Sequence, residues 1–126
     1  ITPMATIANV MLANNMSDIE EDKRNHRVTL PMYLGPKYAA WLYLVLALVG
    51  FAAVLVAAVL RLLPWPILLV VFMWPRVRQN INAFLAVQDK GKTFNTAVAN
   101  LLLTFGSETV LLLICIAVDL AVPGFF

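Results

Sequence analysis

The sequence predicts an all-α protein, a polytopic bundle of transmembrane helices, and three observations carry that expectation. Of its 126 residues 62% are hydrophobic and 13% charged, against about 45–50% and about 25% on a similar count in soluble globular domains. The apolar residues are gathered into long blocks, and the stretch from Tyr38 to Leu60 contains no charge at all. Short segments rich in charged and polar residues separate the blocks, as loops between spans do.

The elements follow in order. Ile1 to Ala13 is apolar but too short to cross a bilayer, and it reads as the end of a longer helix running to Asp22. The chain is therefore expected to be a piece of a larger protein. Its opening also lacks the charged n-region of a signal peptide. Tyr38 to Leu60 spans roughly 35 Å at about 1.5 Å per residue, enough for a hydrocarbon core of about 30 Å. Tyr38, Trp41 and Tyr43 crowd one end, where amphipathic rings favour the headgroup level. Leu62 to Pro75 is too short alone, so a kinked spanning helix is predicted over 63–87. Pro64 and Pro66 suit its start, Pro75 bends it, and Arg76 and Arg78 snorkel. Gln79, Asn80 and Asn82 make its second half polar on one side. Asp89-Lys90-Gly91-Lys92 reads as a solvated loop. A last span is predicted over 96–121. The expectation is one domain, 1–126, with about three full spans (38–60, 63–87, 96–121) and the end of a fourth (1–22).

Charge excludes one class of function and suggests an orientation. The net charge is only +2, and its basic residues lie between apolar blocks, which gives no nucleic-acid footprint. Lys23, Arg24, Arg27 and Lys37 fall in the first loop, Arg61 in the second, and Arg76, Arg78, Lys90 and Lys92 in the third. By the positive-inside rule the first and third loops face the cytoplasm, which predicts a multi-pass protein of the cytoplasmic membrane. The single cysteine, Cys115, sits in an apolar run and reads as a small hydrophobe.

The chemistry concentrates between Asn14 and Leu30. On a helix Asn14, Asp18 and Asp22 are four apart and share a face, with Asn15 and Glu21 beside it. Stacked carboxylates repel unless a cation sits between them. Hard oxygen ligands suit Mg²⁺, which keeps several waters and takes one or two carboxylates plus substrate phosphates. Lys23, Arg24 and Arg27 follow closely, and such cations can hold a diphosphate. A mixed-charge helix cap that merely solvates the loop accounts for many of the same residues. Asn14 and Asn15 weigh against it, because amides one turn deeper are expensive without partners.

The segment Asn14-Asn15-x-x-Asp18-x-x-x-Asp22, followed by Arg27-x-Thr29-Leu30 and Gly35, resembles the second aspartate-rich motif of the UbiA-type membrane prenyltransferases. Within them it is most similar to the 1,4-dihydroxy-2-naphthoate prenyltransferases of menaquinone synthesis. Asn95 and Leu101-Leu102-Leu103-Thr104-Phe105 resemble the start of that family's last helix. Two positions differ: Ser17 stands where many relatives have Arg, and His26 where they usually have Gly.

The resemblance implies a nine-helix fold, of which this chain would be about the last three or four helices. It implies a Mg²⁺ cofactor on Asp18 and Asp22 and a polyprenyl diphosphate as donor. Asn14, Asn15, Lys23 and Arg27 are the candidate diphosphate ligands. An aromatic acceptor and the lipid bilayer complete the expected partners. The chain alone is expected to be inactive, since the other aspartate-rich motif is not in it. Another acceptor such as 4-hydroxybenzoate, or a non-catalytic membrane subunit, are the competing readings. Thr96, Asn100, Thr104 and Glu108 form a four-spaced polar stripe. Asn100 and Glu108 could line the acceptor cavity, or Glu108 could serve helix packing through an interhelical hydrogen bond. Phe51, Phe72 and Trp74 are candidates for facing an allylic cation.

Overall fold

The computed structural model describes residues 1–123, and they are helical with no strand among them. Helix α1 (Thr2–Ser17) is followed after a bend by the short α2 (Ile19–Arg24) and by the long α3 (Leu30–Val59). The chain then forms a 3-10 segment (Trp65–Met73), α4 (Trp74–Ala86) and α5 (Phe94–Leu101). A π-helical turn (Leu102–Gly106) joins α5 to α6 (Ser107–Ala121) without interruption. Two helical runs, 30–59 and 94–121, are long and apolar enough to cross a membrane. Large apolar side chains such as Trp41, Leu113 and Ile116 are more than half exposed on the outside of the bundle. A lipid environment solvates such a surface, whereas water would not tolerate so continuous a one.

α1 lies against α3 through small residues. Thr2 donates its hydroxyl to the Gly50 carbonyl at 3.4 Å, and a Cβ on Gly50 would meet Thr6 Cγ2 at 3.6 Å. Helices in lipid associate by such close backbone approach rather than by hydrophobic exclusion. Where α1 ends, the core becomes bulkier: Leu12, Met16, Tyr43, Ile81 and Phe84 are buried together, with the Tyr43 and Phe84 rings 4.9 Å apart.

Two elements differ from the sequence expectation. α3 begins at Leu30 rather than at Tyr38, because a first turn is added ahead of a kink at Gly35 (φ 74°, ψ 163°). Pro36 bars the helical conformation at the residue before it, and glycine alone adopts these angles readily. The expected helix 63–87 is two pieces. Its first half is 3-10 with Pro66 in the opening turn, and Pro75 starts α4 as a fresh first turn. Nine residues at about 2.0 Å and thirteen at about 1.5 Å give a path of roughly 38 Å along the two pieces, but among the described residues only the runs 30–59 and 94–121 are single helices long enough to span.

The last run bulges where hydroxyls compete for its carbonyls. Thr104 bonds back to Asn100 O at 2.8 Å, Ser107 to Leu103 O at 2.7 Å and Thr109 to Phe105 O at 2.9 Å. The Ser107 N–H reaches Leu102 O, five residues back. Such side-chain bonds loosen the regular ladder and accompany π-bulges.

Candidate functional site

The site is built at the end of α1. Ser17 turns its hydroxyl onto Ala13 O at 2.9 Å, so its polar group is satisfied within the helix. Asp18 leaves helical geometry (φ −104°, ψ 8°) and starts α2. The bend nevertheless keeps the ladder, with Asp18 N–H on Asn14 O at 3.1 Å and Asp22 N–H on Asp18 O at 2.8 Å. Asp18 and Asp22 therefore stay one turn apart. Asn14 and Asn15 are half-buried in the turn before.

The loop after α2 folds back onto Asp22. The Arg27 N–H bonds Asp22 O at 2.9 Å, and the Arg27 guanidinium lies 3.3 Å from Asp22 Oδ1. Asp22 is only 3% exposed, which is unusual for a carboxylate without a charged partner. The fold-back needs a left-handed residue, and His26 supplies it with φ 55°. Glycine would adopt this turn without the Cβ penalty.

Asp18 has a partner from far along the chain. The loop between α4 and α5 is tied by Asp89: its N–H bonds Thr93 Oγ1 at 3.1 Å and its carboxylate accepts the Lys92 N–H at 2.9 Å. That turn projects Lys90 onto Asp18, where Nζ contacts Oδ2. The bond to Asp18, reinforced by the charges of Asp18, Glu21 and Asp22, raises the Lys90 ammonium above its ordinary range. Lys90 was the residue that sequence reasoning missed. Its only signal was membership of a basic loop two spans away from the aspartates.

The other expected residues divide. Lys23 pairs outward with Glu20 at 2.7 Å, both well exposed, and is not brought to the aspartate pair. Arg76 and Arg78, expected in the third loop, sit in the first turns of α4. About 15 Å of helix separates Arg76 from Ala86 at the loop end, and Arg76 Nη1 bonds Gln79 at 2.7 Å. Phe51 and Trp74 pack edge-on with centroids 5.1 Å apart, while Phe72 points out of the bundle, 75% exposed.

The stripe on the last run does face inward, since Asn100, Thr104 and Glu108 are all buried. Asn100 accepts from Asn80 Nδ2 at 2.9 Å. It also lines a cavity of about 10 Å³ with Thr6, Asn9 and Thr104. That volume is about one water's worth, too small for an aromatic acceptor. Glu108 does not line it; it lies beside Thr2, and its Oε2 is buried without a hydrogen-bond partner among the described residues. Thr2 and Ser17 stand at opposite ends of α1, roughly 22 Å apart, so Glu108 is remote from Asp18. Arg76, Asn80, Asn95 and Thr96 line a larger open groove of about 420 Å³.

A divalent ion fits the donor set at Asp18 and Asp22. Two hard carboxylate oxygens one turn apart match the protein share of a Mg²⁺ shell completed by phosphates and water. Among the described residues no group of three or more His, Cys, Asp or Glu comes together, so they form no closed metal cage.

An all-α membrane protein with paired carboxylates at a helix end is the class defined by this fold and site. The UbiA prenyltransferase family model matches residues 2–90, which contain Asp18, Asp22, Arg27 and Lys90, and the chain belongs to that family. Neither the curated proteins nor the solved structures gave a match. Members of the family are membrane prenyltransferases, which places the chain among enzymes that prenylate aromatic substrates.

Proposed function

We propose that this chain forms the part of an aromatic prenyltransferase that grips the diphosphate of its donor through Asp18, Asp22 and one Mg²⁺. The observation that carries it is the burial of Asp22 one turn from Asp18 within the family-matched segment. The acceptor is 1,4-dihydroxy-2-naphthoate, in menaquinone biosynthesis, by the motif likeness set out above. The chain corresponds to the later helices of a nine-helix fold, lies in the cytoplasmic membrane with the aspartates on the cytoplasmic side, and needs the remaining helices for turnover.

Bound Mg²⁺ would supply charge neutralisation for the diphosphate as it departs. The chain's own groups do the rest. Asp18 and Asp22 would hold the ion at one helix end, and Asn14 and Asn15, half-buried one turn deeper, are the candidate phosphate ligands beside it. Arg27 stands beside Asp22 as a bidentate phosphate donor. In the transfer the allylic C–O bond breaks, a C–C bond forms to an electron-rich ring carbon, and that carbon releases its substituent. The substituent is carbon dioxide from a naphthoate or a proton from an unsubstituted position. The bundle keeps water from the allylic cation.

A mixed-charge cap is the second reading, favoured by one observation: both carboxylates already have basic partners, Lys90 and Arg27. Measuring Mn²⁺ affinity and prenyl transfer in the whole protein separates the two. Asp18→Asn and Asp22→Asn are expected to abolish transfer and to weaken Mn²⁺ binding at least tenfold. Variants that retain both properties would establish the cap. Naphthoate and benzoate acceptors assayed side by side decide the acceptor.

A further inference from the structure

We infer that Lys90 is a diphosphate-binding residue that also holds Asp18 before the metal arrives. Its ammonium leaves the Asp18 carboxylate when a divalent ion binds and moves to the phosphate oxygens. The inference rests on the proposed function above and extends it to a residue 72 positions from Asp18 in sequence.

The geometry favours a side chain that moves over one that is fixed. The Lys90 side chain is 52% exposed, while that of Asp18 is 12% exposed. The backbone around Lys90 is held by Asp89 and Thr93, so a change of partner needs only rotation of the flexible four-carbon stem. Of the neighbouring cations, Lys23 faces Glu20 and Arg27 pairs with Asp22, so Lys90 is the one in contact with Asp18.

Electrostatics gives the direction of the exchange. Nζ sits on Asp18 Oδ2, and an ammonium and a divalent cation on one carboxylate repel each other, so a bound ion would favour release of Nζ. Once the metal carries a diphosphate, the local charge turns negative again. The displaced ammonium, a compact charge with three donors, then finds phosphate oxygens within the reach it already spans. Lys90 therefore opposes the bare ion and favours the ion with its anion. A residue that merely tethers the loop would not show this reversal of sign.

The test uses the whole protein in nanodiscs, with Mn²⁺ alone followed by electron paramagnetic resonance and a non-reactive geranyl thiolodiphosphate titrated in Mg²⁺. Lys90→Met is expected to bind Mn²⁺ alone as tightly as the parent or more tightly. It should bind the analogue about tenfold more weakly, the equivalent of one charge-assisted hydrogen bond. Lys90→Arg keeps the charge and should stay within about threefold of the parent for the analogue. Parallel weakening of both ligands in Lys90→Met, or unchanged affinity for the analogue, overturns the inference and leaves a loop tether. If Asp18→Asn and Asp22→Asn also leave Mn²⁺ and analogue binding unchanged, the metal-site reading itself falls. If those variants lose binding while Lys90→Met does not, only the role of Lys90 falls.

Discussion

Asn80 donates its amide to Asn100 Oδ1 across 2.9 Å in the buried interior, pinning α4 to α5. Within lipid there is no water to take over either group if its partner is lost, so the pair should behave as a unit. Asn80→Leu should destabilise the protein by about 1–2 kcal/mol, and Asn80→Leu with Asn100→Leu should cost less than the sum of the single changes. Thermal unfolding in detergent of the four proteins of the cycle measures this. Additive losses would show that the two amides do not depend on each other.

His26 occupies a left-handed turn position that suits glycine. His26→Gly should stabilise the folded state by about 1 kcal/mol, less the entropy that glycine gains in the unfolded chain. Transfer activity should be unchanged if the turn alone matters. A lower melting temperature in His26→Gly would mean that the imidazole makes a contribution its exposed position does not reveal.

Gly35 has no neighbour that a Cβ would strike, yet its angles (φ 74°, ψ 163°) lie where other residues are rarely found. Gly35→Ala should cost about 1–3 kcal/mol through backbone strain alone. Adding Pro36→Ala should recover most of it, because the helix can then run straight through. Failure of the second change to restore stability would place the cause of the kink in packing instead.

Arg27 is the charged partner of the buried Asp22 carboxylate. Arg27→Met in chelator should lower stability by about 1–3 kcal/mol, because a buried acceptor loses its charged donor. A second change, Asp22→Asn, should restore much of the loss. Saturating Mg²⁺ should also narrow the gap between Arg27→Met and the parent, since the metal would take over the charge. A stability gap that ignores both would remove Asp22 from the metal site.

The membrane class and the candidate metal site were legible in the residues themselves. An uncharged run such as Tyr38–Leu60 is governed by transfer free energy, a property of composition and length rather than of neighbours. The spacing of Asp18 and Asp22 is likewise local, because four residues make about one helical turn wherever the helix ends. The 3-10 geometry of Trp65–Met73 was not readable, since prolines mark a break without specifying the winding between them.

Contacts across long loops were hidden for a different reason. Whether Lys90 meets Asp18, Glu108 meets Thr2, or Asn80 meets Asn100 depends on how helices are offset along and around one another. That offset is set by many small steric fits, such as Thr6 against Gly50, and no local pattern encodes it. Sequence could thus supply the chemical groups and their spacing within a helix, while their partners were chosen by packing between helices.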